Sequence, residues 1–76
     1  LDPETIGDVL AVMQKLAQDG MNMIIVTHEM EFARKVANRI LFIEEGHIVE
    51  DTDPETFFER PETERSRQFL EGLHYN

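Results

Sequence analysis

Cysteine is absent from the 76 residues, so neither a disulfide framework nor a thiolate-held metal can staple so short a chain. Basic residues are scarce: 7 Lys and Arg stand against 16 Asp and Glu, giving a formal net charge of -9. The acids run from end to end without forming a tail. Their field repels a nucleic-acid backbone, which a binder neutralises with clustered Lys and Arg, so no nucleic-acid partner is expected. Apolar runs such as Met23–Val26 and Ile40–Ile43 last only a few residues, far short of a bilayer span. No basic-then-apolar leader opens the sequence, and membrane association is expected to come through a protein partner. Zinc signatures are missing as well. His28-Glu29 continues as Met30-Glu31-Phe32 rather than as H-E-x-x-H, and His47 and His74 lie too far away to complete a site, so both read as surface residues and no metal ligand is expected.

The 41% of apolar residues can build only a modest core, which suits one small domain or a part of a larger one. The chain opens on Leu1 rather than Met, and the expectation is that it was cut from something longer.

Asp2 followed by Pro3 supplies an N-cap and a proline for the first helical position, with Glu4 and Thr5 in the first turn. Ile6, Val9, Leu10, Met13, Leu16 and Ala17 recur at spacings of three and four, so residues 3–18 are predicted to form an amphipathic helix ending near Asp19-Gly20. Gly20 is free to adopt a positive φ there. Met23 to Thr27 is apolar in all but its last residue and rich in β-branched side chains, which predicts a strand covered on both faces. Helix then strand is half of a crossover unit, and the expected sheet is larger than this chain can supply.

His28 follows that strand directly. Open α/β sheets gather ligand-contacting groups beyond the carboxyl ends of their strands, so His28 is the leading candidate for a working residue. A helix is expected from about Glu29 to Val36 or Ala37, burying Phe32, Ala33 and Val36, with Glu29 and Glu31 at its positive end and Arg34 and Lys35 at its negative end. Ile40–Ile43 and Ile48–Asp51 are predicted strands of a hairpin, with Gly46 supplying the left-handed turn position. Asp53-Pro54-Glu55-Thr56 repeats the cap, proline and acid grammar of the first helix and starts a short one through Phe57 and Phe58. Glu62–Leu73 reads as a last helix. Phe57, Phe58 and Phe69 are the expected core anchors of these tail helices, and Met13, Met21, Met23 and Met30 read as packing residues.

Leu1-Asp2-Pro3-Glu4, the run Val26-Thr27-His28-Glu29, Arg39-Ile40 and Glu45-Gly46-His47-Ile48-Val49-Glu50 together resemble the C-terminal part of the nucleotide-binding subunit of an ATP-binding cassette (ABC) transporter. The importers of polar amino acids are the most similar branch, and the Phe-Phe-Glu-Arg-Pro piece with Arg65–Leu73 is similar to their tail. The resemblance covers the whole chain but only about the last third of such a subunit. It implies an α/β fold, the C-terminal fragment of a P-loop NTPase (RecA-like) domain. Residues 1–52 would contribute a helix-strand-helix-hairpin part of the ATPase core, and residues 53–76 a tail of two short helices.

The same resemblance implies roles for two residues. His28 matches the family's switch histidine, which contacts the γ-phosphate and the attacking water, and Asp2 lies in the D-loop, which crosses the dimer interface near the nucleotide. Glu29 reads as a dipole partner of its helix, because the family's catalytic base would lie upstream of Leu1. ATP and Mg are the implied ligands of the parent. Its implied partners are a second nucleotide-binding subunit in a homodimer, transmembrane permease subunits and, indirectly, an extracytoplasmic solute-binding protein, with the subunit cytoplasmic and peripheral on the inner face of the membrane. The 76 residues contain no G-x-x-x-x-G-K-[ST] phosphate loop, and the family's signature segment and Asp-Glu pair are missing too, so this chain alone is expected neither to bind ATP tightly nor to hydrolyse it. The alternative reading is a free-standing acidic α/β protein-interaction module without catalysis.

Overall fold

The computed structural model describes residues 2–73, and Leu1 and His74 lie outside them. Four helices and one hairpin are arranged in the order α1 (Pro3–Gln18), α2 (Met30–Val36), β1 (Ile40–Glu44), β2 (His47–Thr52), α3 (Pro54–Glu59) and α4 (Glu64–Gly72). The fold is α/β with a two-stranded antiparallel sheet, and the chain divides into two compact units, Leu1–Val36 and Ala37–Asn76.

In the first unit, α1 starts and stops where its end chemistry directs. Asp2 caps it, Pro3 occupies the first turn, and beyond Asp19 the Gly20 residue takes φ 89°. Met21 N–H then reaches Leu16 C=O at 3.1 Å and Gly20 N–H reaches Ala17 C=O at 3.0 Å, the paired closing bonds of a Schellman end. The stripe of α1 is half-buried at Ile6, Val9, Leu10, Met13 and Leu16, and no residue of the helix is fully buried. α2 contacts α1 and buries Phe32, leaving Ala33 and Val36 half-buried.

The strand expected over Met23–Thr27 does not form. The segment joins no sheet, because a strand is defined by its ladder and the only strand pair among the described residues is β1 with β2. Its burial also differs from the expectation of two covered faces. Ile24 and Val26 are each 96% exposed while Met23, Ile25 and Thr27 are half-buried, the alternation of an extended chain with one covered side. Met21 is exposed rather than packed.

The second unit holds most of the fully buried side chains. β1 and β2 meet across the two-residue turn Glu45-Gly46, whose φ values of 51° and 78° are both positive, as a type I′ hairpin turn requires. Glu44 pairs with His47 and Ile43 with Ile48, but Phe42 pairs with Glu50, so Val49 is an extra residue on β2. This bulge reverses the facing of the residues beyond it. Ile43 and Ile48 stay exposed on one face, while Phe42 and Glu50 turn toward the helices.

There Phe42 stacks on Phe69 at 4.8 Å between ring centroids and meets Phe57 edge-on at 5.9 Å. Phe57, Phe58 and Leu70 are buried behind them, while Phe69 is half-buried and Leu73 exposed. α3 repeats the start of α1, with Asp53 accepting the Thr56 N–H at 2.9 Å. α4 begins at Glu64 rather than Glu62 because Thr63 is its cap, accepting the Ser66 N–H at 3.1 Å. Two bidentate ion pairs on the surface, Arg39 with Asp51 and Arg65 with Glu44, join the hairpin to the segment before it and to α4.

Candidate functional site

His28 lies in a bend between the extended segment and α2, with its side chain exposed. The local sequence makes the bend. Thr27 Oγ1 accepts the Glu29 N–H at 3.0 Å, spanning His28, and Glu29 C=O in turn accepts the Ala33 N–H at 3.0 Å to start the helical ladder. An exposed imidazole at such a joint can donate or accept a hydrogen bond toward a ligand in front of it. Glu29 is exposed at the helix start, and Glu31 is the acid of the first turn.

Asp2 stands at another helix start. Its Oδ1 accepts the Thr5 N–H at 2.8 Å, and its extended backbone, φ -79° and ψ 163°, is that of an N-cap. The Thr5 N–H, helped by the Thr5 hydroxyl, holds the Asp2 carboxyl below its ordinary value and outweighs the opposing effect of burial. Asp2 is thus ionised at neutral pH, exposed, and fixed by the helix it caps. The two candidates belong to the same unit but to the starts of different helices. His47 is exposed on the hairpin.

The described residues contain no group of three or more His, Cys, Asp or Glu that could hold a metal ion. No described helix is long and apolar enough to cross a membrane.

Two structural roles went unread in the sequence. The Thr27 hydroxyl had a visible signal, a Thr two residues before Glu29, the residue that precedes α2. The buried carboxylate of Glu50 had none, since plain alternation sets it on the exposed face of Ile48 and only the bulge at Val49 turns it inward.

Three proteins are similar to this chain at 50–59% identity. The glutamine transport ATP-binding protein GlnQ of Geobacillus stearothermophilus is 59% identical over 73 residues, which are 96% of this chain and 30% of that protein. The glutamate/aspartate import ATP-binding protein GltL of Escherichia coli is 57% identical over 70 residues, 92% of this chain and 29% of that protein. The chain is homologous to the ATP-binding subunits of ABC importers of polar amino acids. The histidine/lysine/arginine/ornithine transport ATP-binding protein HisP of Salmonella typhimurium extends this to 50% identity over 72 residues, 95% of this chain and 28% of that protein. The chain therefore spans less than a third of the length of these relatives. No protein-family model matches it.

Proposed function

We propose that the chain is the C-terminal portion of the ATP-binding and ATP-hydrolysing subunit of a polar amino-acid importer, with His28 as its switch residue. The observation that carries the reading is the 59% identity to GlnQ over 73 residues, an alignment long enough to include His28 wherever it begins. Residues 1–52 belong in this reading to the RecA-like ATPase core and residues 53–76 to a helical tail. Asp2 serves at the interface of a homodimer of such subunits, close to the nucleotide.

The chemistry assigned to His28 derives from phosphoryl transfer. Charge on the migrating phosphoryl group spreads over its equatorial oxygens, and a held imidazole N–H donates to one of them or orients the attacking water. The bend at Thr27–Glu29, with His28 exposed, supports that role. ATP and its magnesium ion belong to the whole subunit, whose phosphate loop and carboxylates the 76 residues do not supply. The partners are a second nucleotide-binding subunit, transmembrane permease subunits and, through them, an extracytoplasmic solute-binding protein. The subunit then works at the cytoplasmic face of the membrane.

The test compares ATP turnover by the full-length subunit, its His28→Ala variant and the 76-residue chain. Turnover that collapses in the variant while the short chain is silent is the expected result. Unchanged turnover in the variant returns His28 to ordinary structure, and a full-length product without ATPase activity favours an acidic protein-interaction module.

A further inference from the structure

We propose that Thr27 is a positioning residue for His28: its hydroxyl fixes the bend from which the imidazole works. The inference rests on the reading of His28 as the switch residue and adds to it the group that holds the histidine. The Thr27 Oγ1 accepts the Glu29 N–H at 3.0 Å, so one hydrogen bond closes across the residue it brackets. Both neighbours of His28 are tied by it. On one side Thr27 is half-buried at the end of the extended segment, and on the other Glu29 is tied to α2 through the bond from Ala33 N–H to its C=O at 3.0 Å.

A β-branched side chain has few χ1 wells, so the hydroxyl is held ready for the N–H. Without it the Glu29 N–H turns to water, and the backbone dihedrals of His28 lose the restraint that joins the preceding segment to the start of α2. Within this chain His28 is exposed, so its orientation rests on the bend rather than on packing. Misplacement of a reacting group by about 1 Å costs on the order of a hundredfold in rate.

The experiment measures steady-state ATP hydrolysis by the full-length subunit carrying Thr27→Val, Thr27→Ala, Thr27→Ser, Thr27→Asn and His28→Ala. Valine keeps the shape and removes the acceptor, whereas serine and asparagine keep an oxygen able to accept the N–H two residues on. The expected result is a fall of roughly 10- to 100-fold in kcat for Thr27→Val and Thr27→Ala, with KM for ATP within about twofold. Thr27→Ser and Thr27→Asn recover most of the rate, and Thr27→Val adds little further loss to His28→Ala because the two act as one unit. Loss in His28→Ala with wild-type turnover in Thr27→Val and Thr27→Ala overturns the proposal while leaving the reading of His28 intact. Equal loss in Thr27→Ser, Thr27→Asn and Thr27→Ala also overturns it, since packing rather than an acceptor then decides. Full turnover in His28→Ala removes the underlying reading first. Thr27→Ala takes the place of Thr27→Val should the latter fail to fold.

Discussion

Glu50 on β2 receives the backbone N–H of Thr63, 13 residues later, at 3.1 Å on Oε1, and the N–H of Glu62 at 3.0 Å on Oε2. The Thr63 hydroxyl lies 3.2 Å from the same Oε1 and 2.7 Å from the fully buried Ser66 hydroxyl. One buried carboxylate thus satisfies two N–H groups at the entry to α4 and ties the tail helix to the hairpin. Glu50→Ala leaves those donors without a partner, and the expected destabilisation is about 1–3 kcal/mol. Urea unfolding followed by far-ultraviolet circular dichroism checks this, and an unchanged midpoint means that water replaces the carboxylate at no cost.

The same cluster sets the acid limb of stability. Burial alone pushes the Glu50 carboxyl up, but the Glu62 N–H, the Ser66 hydroxyl and the Thr63 N–H and hydroxyl together outweigh it and hold the group below its ordinary value of 4.5. A folded-state value lowered in this way stabilises the fold above the unfolded value, and the stabilisation is lost as pH falls through the folded one. Asp51, held down by its hydrogen bonds to Arg39, and Asp53, held down by the Thr56 N–H, act in the same direction. The unfolding midpoint is therefore expected to be flat from neutral pH to about pH 5 and to drop below it. In Glu50→Gln the drop is shallower, which pH-dependent urea titration of the two proteins would reveal.

At the hairpin tip the two turn residues make opposite predictions. Gly46 has φ 78°, and a Cβ added there would meet nothing within 4 Å, so Gly46→Ala costs left-handed backbone strain and no clash, about 1–2 kcal/mol. Glu45 already carries such strain at φ 51°, and asparagine tolerates that region far better. Glu45→Asn is expected to stabilise the unit by about 0.5 kcal/mol or more. Thermal melts of both variants, moving in opposite directions, are the check.

Helix ends are written more clearly in the sequence than the sheet is. Asp2-Pro3 and Asp53-Pro54 mark helix starts by side chains acting within three residues, and α1 and α3 begin at those prolines. Thr63 carries the same local signal one residue after Glu62, and it moves the start of α4 to Glu64. The reading of His28 rests on a strand before it and a helix after it; the helix forms, whereas Met23–Thr27 joins no sheet. Long-range terms were not legible. The Val49 bulge that turns Glu50 inward depends on pairing with β1, and the missing ladder of Met23–Thr27 depends on a partner strand that no local pattern can provide.

That unpaired segment gives the last prediction. Ile24 and Val26, two residues apart on extended backbone, point to one side and are each 96% exposed. The chain spans under a third of the relatives it matches, so it need not contain whatever covers this side in a longer protein. Alone in solution, adjacent apolar side chains on a strand-like edge favour pairing with a second copy. Sedimentation equilibrium of the 76-residue chain is expected to show mass rising with concentration. The double substitution Ile24→Lys, Val26→Lys places two charges on the side that would be buried and should return a monomer. A wild-type chain that stays monomeric at every concentration shows instead that its net charge of -9 keeps copies apart more strongly than this edge attracts them.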